Sequence, residues 1–164
     1  MNVIVLIGFM GAGKTTVGRQ LAQTLDIDFI DSDVHIEAEQ GRPIREIFAT
    51  EGEPVFRNLE HQAIAELVAG HDLVLAVGGG AVEHERTRQA LKNATVVYLR
   101  VDYDEALRRV GGDANRPMLQ RNDLTDVYRR RQATYAELAD LTIDTSGLTP
   151  AQTAEAIKAK LTAR

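Results

Sequence analysis

A chain of 164 residues, 44% hydrophobic and 26% charged, carries enough apolar material for one buried core and is expected to form a single domain. Its formal net charge of -5 argues against a general nucleic-acid or membrane-surface role, and with no cysteine neither a disulfide framework nor a cysteine zinc site can form. No apolar run approaches the roughly 20 residues that span a bilayer, and VIVLI near the start is too short for a signal-peptide core, so a cytoplasmic protein is expected.

The first apolar run, Val3–Ile7, is continuous and stops at Gly8, as a central strand buried on both faces does. From Lys14 to about Leu25 the pattern changes: Val17, Leu21 and Leu25 recur at helical spacing. DFIDSD, Asp28–Asp33, reads as a short strand end between carboxylates. Val34–Gln40 and Ile44–Ala49 read as short helices parted by the breaker GRP. Glu53–Val68 is a longer helix with Phe56, Leu59, Ala63 and Leu67 on one face. Leu73–Val77 is a second buried strand, closed by Gly78-Gly79-Gly80 and followed by a helix over Glu83–Leu91. Thr95–Leu99 is a strand and Tyr103–Val110 a helix; Gly111–Asp123 is polar, turn-rich and without apolar period. Asp126–Leu138 is an arginine-studded helix, Leu141–Asp144 a short last strand, and Pro150–Leu161 a helix with proline near its first turn. Such alternation, with no repeat or linker, predicts an α/β fold: a parallel sheet with helices on both faces. Ligands of such sheets bind at the carboxyl ends of the strands, where Gly8, Asp31 and Gly78 fall.

Gly8-x-x-x-x-Gly13-Lys14-Thr15, between a strand and a helix, matches the phosphate-binding P-loop. Its glycines let the backbone curl until successive N–H groups point inward, and the helix N-terminus adds partial positive charge. Lys14 is then placed for the β- and γ-phosphates and the Thr15 hydroxyl for Mg2+, so the chain is expected to bind a nucleoside triphosphate.

Other groups admit two uses. Asp31 and Asp33 alternate and on extended chain point the same way, one toward a Mg2+ water and one toward a substrate hydroxyl; alternatively Asp33 caps the helix at Val34. The glycine triplet is either a plain strand-to-helix turn or a close backbone approach to a ligand. Arg57 has Glu60 at i+3, a surface ion pair unless the arginine serves a ligand. Arg116 lies in the irregular segment, either incidental or carried by a lid to developing phosphoryl charge. Arg129, Arg130 and Arg131 are consecutive, so they are expected to fan around a helix without sharing one ligand. His35, His61, His71 and His84 show no shared metal-ligand spacing and are expected to be structural or exposed.

A GTPase would need an Asn-Lys-x-Asp stretch, which is absent; a transport or motor ATPase would be larger, with an acidic strand end that LVLAVGGG lacks. GFMGAGKT at 8–15, DSD at 31–33, FRNLE at 56–60, GGG at 78–80, NRP at 115–117 and RQATY at 131–135 together resemble the shikimate kinase family, over nearly the whole chain. The resemblance implies a three-layer P-loop NTPase sandwich like the nucleoside-monophosphate kinases, its five-stranded parallel sheet ordered 2-3-1-4-5. It implies one kinase domain over 1–164, with a substrate-binding region at about 31–61 and a lid at about 111–124. The implied activity is ATP-dependent phosphorylation of the 3-hydroxyl of shikimate, with Mg2+. Nucleotide would be held by Gly11, Ala12, Gly13, Lys14, Thr15, Thr16, Arg109 and Arg116, with Arg109 against the adenine and Thr15 and Asp31 on the metal. Asp33, Arg57, Gly78, Gly79, Gly80 and Arg131 would bind shikimate, Arg57 and Arg131 through its carboxylate, with Glu60 orienting Arg57. Lys14, Asp33 and Arg116 would be catalytic.

The family often carries proline where this chain has Ala133, and the stretch from Arg116 to Arg131 is short, so Arg130 remains a rival to Arg131. The alternatives are a related small-metabolite kinase, of the gluconate or nucleoside-monophosphate type, and a catalytically silent ATP-binding module. The expected partners are shikimate and ATP, with no nucleic acid or membrane, and the expected state is a monomer.

Overall fold

The computed structural model describes residues 2–111 and 123–164. Arg116 and most of the expected lid at 111–124 lie outside the described residues. At the centre stands β1 (Ile4–Ile7), flanked by β3 (Leu73–Ala76) and β4 (Thr95–Arg100), with Val5 paired to both Leu75 and Val96. β2 (Asp28–Asp31) and β5 (Leu141–Asp144) close the edges, giving an all-parallel sheet in the order β2-β3-β1-β4-β5. β1 and β3 are buried along their whole length, which is why they are unbroken apolar runs; β2 and β5 at the edges keep charged ends. The chain leaves β1 toward β2 on one side and β3 toward β4 on the other, so the ends of β1 and β3 border the point where strand order reverses.

The helices cover this sheet. α1 (Lys14–Leu25) buries Val17, Gly18, Leu21 and Ala22 and packs against α8 (Pro150–Thr162), which opens on a Thr149/Gln152 capping box. Gly18 is where α1 meets β2: the Phe29 ring fills the space a Cβ would take. α2 (Ser32–Gln40), α3 (Ile44–Glu51) and α4 (Glu53–Val68) share a small core of their own, built from Ile36, Ile47, Phe56 and Ala63, with the Phe48 and Phe56 ring centres 5.0 Å apart. This cluster carries Arg57 and Glu60 on α4. Truncating Phe56 to alanine would cost about 3–5 kcal/mol and loosen both. α5 (Glu85–Leu91), α6 (Tyr103–Val110) and α7 (Leu124–Leu138) complete the helical layers. No described helix is long and apolar enough to cross a membrane.

The differences from the expected elements are local. α2 begins at Ser32 rather than Val34, so the second aspartate of DSD is helical and not extended. The stretch after the glycine triplet is a 3-10 turn over Ala81–Glu83 before α5 starts beyond His84, and α7 begins at Leu124, two positions early.

Candidate active site

The loop after β1 curls tightly. Gly11 has φ +80°, and a Cβ there would sit 2.6 Å from the Ala106 carbonyl oxygen, so only glycine fits. Gly13, at φ 89°, is the N-cap of α1 and brings no side chain to the helix; the first turn also holds no acidic residue. The leading N–H groups of α1 therefore lack a side-chain cap, the arrangement that suits an anion. The Lys14 ammonium donates to the carbonyls of Gly8 (2.7 Å) and Phe9 (3.1 Å), folding over the loop. Arg109 reaches in from α6, donating to the Gly11 carbonyl at 3.0 Å and to Thr145 Oγ1 at 3.3 Å. Ala12 has a buried side chain, and its N–H donates to the Phe9 carbonyl at 3.1 Å, inside the loop.

Thr15 and Asp31 meet directly, the hydroxyl donating to Asp31 Oδ2 at 2.6 Å. Asp31 Oδ1 accepts from the N–H groups of Asp33 (2.9 Å) and Val34 (3.2 Å). Asp31, and not Asp33, is thus the cap of α2, and its two turn-forming bonds bend the chain out of the extended geometry that the alternation argument assumed. Asp33 is left facing the cavity two residues on. Burial, then the charge of Asp31, push its carboxyl up to about 6, against the pull of Lys14 and Arg57. A hydroxyl beside a carboxylate offers hard oxygen donors, the kind Mg2+ takes alongside phosphate oxygens. Among the described residues no group of three or more His, Asp or Glu is arranged to hold a metal.

Across the cavity the recognition groups are side chains. Arg57 Nη1 donates to Glu60 Oε1 at 2.7 Å and Nη2 to Glu53 Oε2 at 3.1 Å. Glu60 is only 1% exposed, so this is no surface ion pair; burial lifts its carboxyl to about 7 in spite of Arg57. A Cβ on Gly78 would lie 3.1 Å from both Asp33 Oδ1 and Glu60 Oε2, so the missing side chain lets two carboxylates approach one strand end. A Cβ on Gly80 would collide with Arg57 Nη2 and stand 2.9 Å from Arg131 Nη2: two guanidinium groups converge on one bare backbone position. Between them, Gly79 is fixed by the Tyr135 hydroxyl, which donates to its carbonyl at 2.5 Å. Burial raises the Tyr135 pKa, so it stays a neutral donor.

Arg131 is buried, while Arg130 is half-exposed and lies outside the cavity wall. The two share one protein partner: Arg130 Nη2 donates to Glu83 Oε1 at 2.6 Å and Arg131 Nη2 to Glu83 Oε2 at 3.1 Å. Helical fanning separates their Cβ atoms, but four-atom stems bring both heads back to a carboxylate at the helix edge. Burial works against the Glu83 charge, yet the bonds from Arg131 and Arg130 outweigh it and hold its pKa down. Glu83 and Tyr135 were missed as site residues; Glu83 carries no motif, and Tyr135 sat unremarked in RQATY. The histidines stand apart from the site, His61 and His84 stacking with ring centres 5.3 Å apart.

Both halves open into one cavity of about 1120 Å³. It is lined by Gly11, Gly13, Lys14, Thr15, Thr16, Asp31 and Arg109 at one end, and by Asp33, Arg57, Gly78, Gly79, Gly80 and Arg131 at the other. A family model described as shikimate kinase matches residues 10–162. The chain is 43% identical to a shikimate kinase of Rhodococcus jostii, covering 96% of each protein, and 49% identical to one of Salinispora tropica, covering 97% of each. Its fold is similar to that of the Acinetobacter baumannii shikimate kinase solved in complex with shikimate, with a TM-score of 0.95, 40% identity and coverage of 99% of this chain and 94% of that one. A likeness this complete, in sequence and in the path of the chain, has one meaning: the protein belongs to the shikimate kinase family.

Proposed function

We propose how the cavity performs the ATP-dependent phosphorylation of shikimate that this chain carries out. The observation that carries the assignment is the convergence of Arg57 and Arg131 on Gly80, with Asp33 lying between them and the P-loop in the same cavity. A planar carboxylate suits paired guanidinium groups, which bind it with direction as well as charge. Held there, the acid presents its 3-hydroxyl toward Asp33 and the phosphate end.

ATP lies with its phosphates on the N–H groups of the glycine-rich loop and α1, and Arg109 flanks the adenine. Lys14 exchanges its loop carbonyls for the β- and γ-phosphate oxygens. Thr15 and Asp31 would hold Mg2+, which when bound supplies charge neutralisation for the polyphosphate. Asp33 accepts the proton of the 3-hydroxyl as its oxygen bonds the γ-phosphorus; the bond to the bridging oxygen breaks and ADP leaves. A carboxyl lifted to about 6 is still mostly ionised at pH 7, and is a stronger base than an ordinary aspartate. Positioning of the two reactants supplies much of the rate.

We read the unit as a single kinase domain over 1–164, with 31–61 as the substrate region, acting as a monomer. A triphosphate-consuming enzyme of this kind belongs in the cytoplasm. Coupled ADP release with ATP·Mg2+ and shikimate, gluconate or a nucleoside monophosphate in turn tests the assignment. Turnover with shikimate alone, and a product phosphorylated on its 3-oxygen by phosphorus NMR, is the expected result. Turnover on gluconate or a nucleotide instead would overturn it.

A further inference from the structure

Arg131 is 2% exposed, and a buried guanidinium is costly unless its donors are met. Its Nε is buried without a hydrogen-bond partner among the described residues, so its orientation rests on the outer nitrogens. Nη2 is held by Glu83, and Glu83 is itself tied down twice. Its N–H donates to the Gly80 carbonyl at 3.1 Å in the 3-10 turn, and its other carboxylate oxygen accepts from Arg130 Nε at 3.0 Å and Nη2 at 2.6 Å. The brace is therefore anchored to the same glycine on which Arg57 and Arg131 converge. Charge matters as much as geometry. Glu83 alone would set a negative charge beside a site for an anion; Arg130, outside the cavity, cancels it and leaves the trio with one net positive charge.

We propose that Glu83, backed by Arg130, is a positioning residue for Arg131, fixing the guanidinium plane that receives the substrate carboxylate while Arg130 keeps that corner attractive to an anion. This rests on the assignment of Arg131 to the carboxylate. Glu83 touches neither reacting atom, so its loss weakens shikimate binding and leaves phosphoryl transfer alone.

The test is steady-state kinetics of the full chain, with shikimate and with its neutral carboxamide. Glu83→Gln raises KM for shikimate about 10-fold, while kcat and KM for ATP stay within about twofold and the carboxamide reacts as before. Glu83→Asp falls between, and Arg130→Met raises KM about threefold by unmasking the Glu83 charge. In the double variant Glu83→Gln/Arg130→Met the second change adds nothing, because no charge remains to be masked. Unchanged or lowered KM for shikimate in Glu83→Gln, while Arg131→Lys raises it, would overturn the brace and spare Arg131 as the carboxylate ligand. Unchanged KM in Arg131→Lys would overturn the assignment beneath it. Equal losses with shikimate and the carboxamide in Glu83→Gln, or additive losses in the double variant, would also overturn the proposal, since they mark a general structural defect.

Discussion

The two ends of the cavity recognise anions by different means. At the phosphate end the groups are main-chain: a curled loop, a helix start without a side-chain cap, and one ammonium folded across them. At the acid end they are guanidinium groups, each held by a glutamate, Arg57 by Glu60 and Arg131 by Glu83. A polyphosphate presents many oxygens and tolerates a diffuse cradle. A single planar carboxylate needs donors fixed in a plane, and long arginine side chains hold a plane only when something holds them. The contrast implies that damage at the phosphate end reaches the chemistry, whereas damage at the acid end reaches affinity.

The sharpest way to break that comparison is Lys14→Met. It is expected to lower kcat about 1000-fold or more, since charge stabilisation of the transferring phosphoryl group is lost, while calorimetry still detects shikimate binding. Loss of shikimate binding with kcat preserved would show that the ends are not separable in this way. Arg57→Ala is the counterpart. Removing charge-assisted hydrogen bonds worth about 1.5–3 kcal/mol weakens shikimate binding at least tenfold, with ATP affinity kept. Gly80→Ala should imitate it, because the new methyl meets the movable heads of two arginines rather than backbone, so the fold survives and the arginines splay. Gly11→Ala meets the Ala106 carbonyl at φ +80° and should cost stability and ATP binding instead.

The same contrast decides what could be read from sequence. The phosphate end occupies eight contiguous residues between a strand and a helix, so its chemistry was legible from spacing alone. The acid end is assembled from α4, the turn after β3, and α7; its arginines were visible as candidates, but their role on a carboxylate came only through the family resemblance, which also supplied the strand order. One inference failed for a definite reason. Period-two alternation put Asp31 and Asp33 on one side of a strand, but the Asp31 carboxylate caps α2 and turns Asp33 into a helical residue. The helical wheel separated Arg130 from Arg131, and only Arg131 lines the cavity, although both side chains reach Glu83. Glu60 was read as the partner of Arg57 but not as buried, since nothing local announces the small core of α2, α3 and α4 that covers it.

Burial of Glu60 gives the comparison a pH signature. Its pKa is raised from 4.5 to about 7, so its contribution to stability is full below pH 4.5 and is lost as pH rises through 7. Between pH 6 and 8 that loss is on the order of 1 kcal/mol. Asp33 follows the same sign in a lower window, from 3.8 to about 6, and His61, whose pKa is lowered by burial and by His84, acts with the opposite sign. Urea unfolding of wild type against Glu60→Gln isolates the one group: the stability difference between the two chains shifts by on the order of 1 kcal/mol over this range in favour of the variant at pH 8. A constant difference would mean that Arg57 keeps Glu60 ionised throughout.

The smallest expected effect asks whether the acid end is wholly side-chain. Tyr135 holds the Gly79 carbonyl through a 2.5 Å bond, and its ring is packed beside Tyr98 with centres 5.2 Å apart. That bond fixes the Gly79–Gly80 peptide plane and hence the direction in which the Gly80 N–H points. Tyr135→Phe keeps the ring and removes the donor, which should cost about 1 kcal/mol of stability and raise KM for shikimate about threefold, with kcat unchanged. Both changes together would mean that the triplet contributes a main-chain contact to the acid, a small echo of the phosphate end. Lost stability with an unaltered KM would leave recognition there to the arginines alone, and the division between the two ends would be complete.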